Sequence, residues 1–547
     1  MGTSTSTVDA TGLDSSTGEP AGPAVYPLVD EPYTTLQAVW APRVPSAETE
    51  AAITAGELTV YDHHRFAKHG LGVELADGHP WIEHDELAPG FVAGPPAQRR
   101  SLVYLWQSAD SQLIDEESPI RFEAVESIYR PHGHLSTQVF EAHVRSAQRL
   151  HALGARGLDF AVVAGDMTDG GQHNELHWML DTLAGGVIDP DSGIDDDPVP
   201  GPGNDYNDPF VSDGLAVPWY AALGNHETLY NGGFGALTDE VRMAAMGDEV
   251  YESGLFVNGY CDGSTENAEL RTSGSTPPDP DRLPLRHPEV LEALHEAPGE
   301  PAGHGLTPQQ VTDAIGYFSV HPIAGRPVRL VVLDTVHHAA VSPGEGVEGY
   351  VDDEQFAWLT TMLAEATAAL ELVIVVSHHR IADFSNQSPV SGAQLAEAFA
   401  STPGLVLHLT GHGHANRSEL HAPVMASPEQ GYWELMLAST VDFPMHTRMV
   451  EIVDEGTGFL SIYVTNLEHN SPTDSLAHHG RELAAGKGAF PGLLQPADVA
   501  GQWAEDVPHQ NLLLRVALPD TLRDALATFD WPTAIASEET LLPLTGP

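Results

Sequence analysis

The chain has 547 residues, enough for one large domain with insertions or for two ordinary ones, and its 41% apolar content can fill a sizeable core. Seventy-eight acids stand against 23 bases, a formal net charge of −55, which sets the surface against polyanions and anionic membranes; long nucleic acids are excluded as partners, and a phosphate substrate has to be small or drawn in by local cations. The single cysteine, Cys261, excludes an intrachain disulfide framework and a cysteine-based zinc site.

Residues 1 to 98 read as an extension with little regular periodicity, rich in Pro and Gly towards its end, and its Ser/Thr/Gly-rich start is expected to be disordered. That start has neither the basic opening nor the apolar stretch of a secretory leader, and no window approaches eighteen consecutive apolar residues. The expectation is a protein without membrane insertion, cytoplasmic as written or exported if a leader precedes residue 1. So large an acid excess also suits high ionic strength, where self-repulsion is screened, although an acidic proteome gives the same composition.

The organised part begins at Ser101, and residues 99 to 475 read as one domain. LVYLWQ (102–107) is strand-like and is followed by the helix-like QVFEAHVRSAQRLHAL (138–153), the strand-like DFAVVAG (159–165) and the helix-like HNELHWMLDTLA (173–184). Two insertions interrupt the pattern: a turn-rich acidic one at 185–210, read as a solvated loop ahead of a calcium site because its acids lack the spacing of an EF-hand, and a Pro-, Glu- and Gly-rich one at 263–305. A second series follows: VRLVVLD (328–334), a helix over 352–369, ELVIVVS (371–377), a helix near 391–400 and LVLHLT (405–410). YWELMLAS, RMVEIVD and FLSIYVT (432–465) read as antiparallel strands, and 476–547 as a tail with one helix, PDTLRDALATF, packed on the main domain. Strands alternating with helices predict an α/β fold with layered sheets.

Each main apolar run hands over to polar residues. LVYLWQSA leads to Asp110 and Gln112, DFAVVAG to Asp166, VPWYAALG to Asn225, His226 and Glu227, LVIVVS to His378 and His379, and LVLHLTG to His412 and His414. Singly, such residues are caps or turn formers. Together they supply carboxylate, amide and imidazole donors in the number two divalent ions need, without thiolates, and the carboxyl ends of strands in an α/β sheet converge on one edge.

In that order, the Asp-terminated strand, GDMTD (165–169), GNHE (224–227), SHH (377–379) and GHGH (411–414) resemble the signature blocks of the calcineurin-like metallophosphoesterases, over roughly residues 101 to 470. The resemblance implies a four-layer α/β/β/α sandwich of two mixed sheets flanked by helices. It implies that Asp166 bridges two ions, that Asp110 and His414 hold the first, and that Asn225, His378 and His412 hold the second. His226 then stabilises the phosphoryl oxygens or protonates the leaving alkoxide, while Glu227 and Asp169 orient the ligands. Arg380 stands where the family commonly has proline, so His378 and His379 compete for one place.

Gln112 occupies the family's usual histidine position, a variant shared with the branch that includes manganese-dependent ADP-ribose and CDP-alcohol pyrophosphatases. An amide oxygen is a harder, weaker donor than imidazole, so manganese is expected first, with iron, Zn2+ or Mg2+ as alternatives; Gln112 either ligates directly or holds a water. The implied reaction is hydrolysis of a small phosphodiester or nucleotide by a water activated between two cations about 3.5–4 Å apart. A phosphomonoesterase or nucleotide pyrophosphatase is the alternative within the class, and a catalytically silent metal-binding protein the alternative outside it. Arg380 and Arg417, close in sequence to proposed ligands, are either phosphate contacts or structural salt bridges. Oligomeric state is not legible.

Overall fold

Strand periodicity decides which face each apolar side chain serves. In the strand Leu372–Val376 all five residues are buried, as a strand covered on both faces requires. Val373 and Val375 pack with Leu359, Leu363 and Phe399 of two helices, whereas Leu372, Ile374 and Val376 join the cluster that contains Trp106, Val450 and Ile462 of a facing sheet. The neighbouring strand Val328–Val332 divides in the same way, with Val331 on the helix side and Leu330 and Val332 towards the facing sheet. The computed structural model describes residues 23–26, 34–44, 46–57, 67–121, 130, 132–154, 156–194, 204–233, 237–255, 270–340, 346–422, 430–486 and 496–534. Cys261 and positions 195–203 of the acidic insertion lie outside the described residues.

A six-stranded mixed sheet has the order Phe318–Val320, Val328–Val332, Leu372–Val376, Leu405–Thr410, Tyr432–Met436, Arg417–His421. Its outer face is covered by the helices Asp353–Ala369 and Gly392–Ala400. A seven-stranded mixed sheet has the order Ile82–Leu87, Asn511–Ala517, Phe459–Glu468, His446–Asp454, Arg100–Ser108, Phe160–Ala164, Trp219–Ala222. The helices Ser136–Leu153 and His173–Ala184 pack on each other and on this sheet. The result is the expected sandwich of two mixed sheets with helices outside. Arg100–Ser108, Phe160–Ala164 and Trp219–Ala222 run parallel, as do Leu372–Val376 and Leu405–Thr410, so the residues that follow them gather along one edge.

Three expectations need correction. The segment 476–547 is more than a tail with one helix: NLLLRVA (511–517) is an interior strand between Ile82–Leu87 and Phe459–Glu468, and the helices Leu476–Gly486 and Pro496–Asp506 precede it. Residues 1–98 are not merely an irregular extension, because Ile82–Leu87 forms the edge of the same sheet and Ala38–Pro42 pairs with Val73–Asp77. The polar sequence IEHDEL hides that strand, since most of its side chains reach solvent at the sheet edge. Finally, Tyr432–Met436 does not belong to an antiparallel run with its successors. It pairs in parallel with Leu405–Thr410 in the other sheet.

Both insertions have structure among the described residues. Gly186–Ile188 pairs with Phe210–Ser212, and the second insertion carries the helix His287–Glu296. Arg282, fully buried, joins them: Nε lies 3.1 Å from Asp115 Oδ2, and its NH2 group donates to Ser192 Oγ at 2.7 Å and to the Ser192 carbonyl at 3.1 Å. No helix among the described residues is long and apolar enough to cross a membrane.

Candidate metal centre

The two carboxylates that end parallel strands meet. Asp110 and Asp166 are buried, at 0% and 1% exposure, and together with His414 they offer donor atoms within 4.8 Å of one another. Asp110 N–H donates to the Gly165 carbonyl at 3.0 Å and Gln112 N–H to the Asp166 carbonyl at 2.9 Å, which locks the two loops side by side. Both oxygens of Asp110 accept from the His412 N–H, at 2.9 and 3.0 Å. His414 Nε2 stands 3.4 Å from Asp110 Oδ1. Around Asp166, Oδ1 accepts from the His226 N–H at 2.9 Å, and Oδ2 lies 3.2 Å from both His378 Nε2 and Gln112 Nε2.

Other bonds aim the imidazoles. The ring nitrogen Nδ1 of His378 is tied to the Ala164 carbonyl at 2.8 Å, so Nε2 faces Asp166. His412 Nδ1 is 3.2 Å from His378 Nε2. The Nδ1 atom of His414 meets Asp442 Oδ2 at 2.7 Å, the carboxylate–imidazole pairing that fixes ligand tautomers in metal sites. That of His226 meets the Asp169 carbonyl at 2.7 Å, which leaves Nε2 towards the cavity. His379 lies close enough to His378 and His412 to share an ion, but its two ring nitrogens are engaged by Thr335 Oγ1 at 2.9 Å and the Val347 carbonyl at 3.1 Å. His378 is thus the better placed of the competing pair.

Glu227 is an anchor. Its carboxylate accepts from the amides of Asp166 at 3.0 Å, Thr168 at 3.2 Å and Gly224 at 2.6 Å, and from that of Met167. Burial, and then the nearby Asp166, push its carboxyl up to about 8 against the effect of those bonds. Asp169 receives Arg130 at 3.2 Å. Arg130 also grips Asp442 through Nε at 3.0 Å and NH2 at 2.9 Å. Neither Arg130 nor Asp442 stands out in the sequence. Asp442 lies in a loop beyond the strand Tyr432–Met436, at the same sheet edge, and that position is its one signal.

The two candidate phosphate arginines both pair with carboxylates. Arg380 makes a two-pronged pair with Asp383, at 2.9 and 2.8 Å, and does not line the cavity. Arg417 lines it but is held by Asp506 at 2.5 Å and Glu505 at 3.2 Å. Both are salt bridges of the fold.

Backbone strain collects on the donors. Asp110 (φ 51°), Gln112 (39°), Asp166 (53°), His412 (73°) and His414 (49°) all occupy the left-handed region, which costs a residue with a side chain about 1–2 kcal/mol. Gly224 is there for closeness, because a Cβ at that position overlaps the Asp166 carboxylate and amide nitrogen. Gly224→Ala is expected to weaken divalent-metal binding about 10–100-fold by displacing Asp166, measured by titration of the metal-stripped protein.

The buried charges pair with one another. Burial opposes ionisation of Asp166, yet His378 and His226 hold it well below the usual carboxylate range. In return, burial acts against His378 and His414, but Asp166 pushes the first up to about 10 and Asp110 the second up to about 9. His412, buried and beside His378, drops to about 4. Two atoms test the fit to metal directly. Gln112 Oε1 and Asn225 Oδ1 are buried without a hydrogen-bond partner, while the amide nitrogens of the same groups are satisfied by Asp166 and by the Gly232 carbonyl at 2.6 Å. Both residues, with Asp166, His412 and His414, line a cavity of about 930 Å3. Unpaired amide oxygens among carboxylates and imidazoles fit a hard or borderline divalent ion.

No family model matches the chain, and no curated protein matches it. Among solved structures it is similar to a dimetal phosphatase from Danio rerio, at 12% identity over 68% of this chain and 98% of that one, with a TM-score of 0.38. It is also similar to the sulfate thiohydrolase SoxB of Thermus thermophilus in complex with glycerol, at 13% identity over 77% of this chain and 62% of that one, with a TM-score of 0.30. Likeness at this level leaves the chemistry to be read from the chain's own residues.

Proposed function

We propose that this protein is a two-metal hydrolase of small phosphoesters, with phosphodiesters and nucleotides as the leading substrates. The observation that carries the reading is the pair of orphaned amide oxygens, Gln112 Oε1 and Asn225 Oδ1, on residues that line one cavity with Asp166. Asp110, His414 and Gln112 would hold one ion, Asn225, His378 and His412 the other, and Asp166 both. Bound there, two divalent ions would polarise the phosphoryl oxygens and make a water acidic enough to attack near neutral pH. The donor set, with Gln112 in place of a softer imidazole, favours manganese.

The chain's own contribution is positioning and proton transfer. His226, fixed through Nδ1 on the Asp169 carbonyl, presents Nε2 to the cavity, where it can donate to a phosphoryl oxygen or to the departing alkoxide. Arg130 braces Asp442, which braces His414. The overall negative charge and the cavity of about 930 Å3 both favour a small substrate over a polymer.

The test is elemental analysis of protein purified without chelator, paired with hydrolysis of an aryl phosphodiester, an aryl phosphomonoester and a nucleotide pyrophosphate in added Mn2+. At least two divalent ions per chain and turnover of one of these classes are expected. Metal binding without turnover on any of them overturns the reading.

A further inference from the structure

The cavity of about 930 Å3 extends past the candidate donors to a wall supplied by a distant part of the chain. The helix Pro496–Asp506 lines it with Val499, Gln502, Trp503 and Asp506, positions three, four and seven apart that share one helical face. Phe443 and Pro444 join that wall from the loop that carries Asp442. Trp503 is braced from behind: its ring lies 5.7 Å from that of His79 at 55°, and His79 Nδ1 meets Gln510 Oε1 at 3.1 Å. The indole N–H, sealed from solvent, has no hydrogen-bond partner among the described residues, whereas a buried indole N–H ordinarily finds one.

Charge decides what this wall can face. Apart from the donors and His226, the ionised groups lining the cavity are Arg130, Arg417, Asp442, Glu505 and Asp506. Both guanidinium groups are already matched, Arg130 by Asp169 and Asp442, Arg417 by Asp506 and Glu505. Two cations thus stand against three lining carboxylates. A second anionic group on the substrate meets excess negative charge there, with both guanidinium groups committed to carboxylates. An uncharged flat group meets an indole, a phenyl ring and the aliphatic surfaces of Val499 and Pro444 instead.

We infer that this wall is the subsite for the alcohol half of the substrate, and that the substrate is a diester of a single phosphate whose second alcohol is uncharged and aromatic. The inference rests on the two-metal reading and narrows it, away from pyrophosphates, which carry a second phosphate. Trp503 sets the preference, by ring contact and through an N–H available to an ester or hydroxyl oxygen.

The test compares three diesters of 4-nitrophenol on the full chain in added Mn2+, with phenol, methanol or 4-hydroxybenzoic acid as the second alcohol. In each, water attacks phosphorus, the bond to 4-nitrophenolate breaks, and the other ester is kept. The wild-type chain is expected to turn over the phenyl ester with a kcat/KM at least about tenfold above that of the carboxyphenyl ester. Trp503→Ala is expected to lower the phenyl-to-methyl ratio of kcat/KM at least about tenfold, chiefly through KM for the phenyl ester and with bound metal unchanged, and Trp503→Phe to restore most of it. Far-UV circular dichroism checks the fold of both variants, and the wild-type comparison does not depend on them. A carboxyphenyl ester as good as the phenyl ester, or an unchanged phenyl-to-methyl ratio in Trp503→Ala, overturns the subsite while turnover and metal content still uphold the two-metal reading. If no diester is hydrolysed, that reading falls by itself, and calorimetry of phenyl phosphate against methyl phosphate still reads the wall: equal affinities in the wild-type chain overturn it.

Discussion

Asp166→Asn is expected to lower kcat for an aryl phosphodiester at a fixed concentration of added Mn2+ by about 10^2–10^3-fold or more, with the far-UV spectrum unchanged. The substitution keeps the shape of the side chain, and Oδ1 can still accept from the His226 N–H. What it removes is the negative charge that faces His378, Gln112 and His226 at the centre of the donor set. An amide presents one oxygen and one N–H2 group, so it cannot serve two cations with two oxygens. Bound manganese should fall together with kcat, which distinguishes loss of the centre from loss of substrate contact. A variant with full activity and full metal content shows that Asp166 does not join the two halves.

The largest expected loss of stability comes from Arg282→Met, about 3–5 kcal/mol. Arg282 and Asp115 are both essentially sealed from water, at 0% and 1% exposure, with 3.1 Å between them. Methionine fills most of the volume but leaves the buried Asp115 carboxyl without its guanidinium, with the side-chain amides of Gln172 and Asn174, the Ser192 hydroxyl and the Glu117 N–H as its remaining donors. Urea denaturation reads the effect as a lower midpoint. Adding Asp115→Asn to the same chain should recover a large part of the loss, because the unpaired charge goes with it. The ion pair lies between two insertions and the loop that leaves Asp110, so it also tests whether those insertions belong to the folding unit.

The residues gathered at the candidate site were legible because each follows an apolar strand, and the parallel sheet converts that one-dimensional habit into a shared edge. Asp442 and Arg130 carry no comparable mark. Arg130 follows no apolar run, and its role depends on Asp169 and Asp442 arriving from distant loops. The choice between His378 and His379 was also invisible, since it turns on whether Thr335 and Val347 occupy the second ring. The inner strands showed themselves by unbroken apolar runs, whereas IEHDEL did not, because an edge strand with solvent on most of its side chains has no hydrophobic face to display. NLLLRVA was readable as an apolar run, but its place between that edge strand and Phe459–Glu468 is a matter of topology, which local sequence does not encode.

The parallel register of Leu512 with Ile82 joins stretches that lie far apart along the chain. Until residues 511–517 leave the ribosome, Phe459–Glu468 has no neighbour on one side, and the early stretch around Ile82 has nothing to zip against. Such remote pairing makes sheet completion slow and late. Polypeptides released before that point will therefore collect as adhesive, half-built sheets rather than as smaller folded proteins.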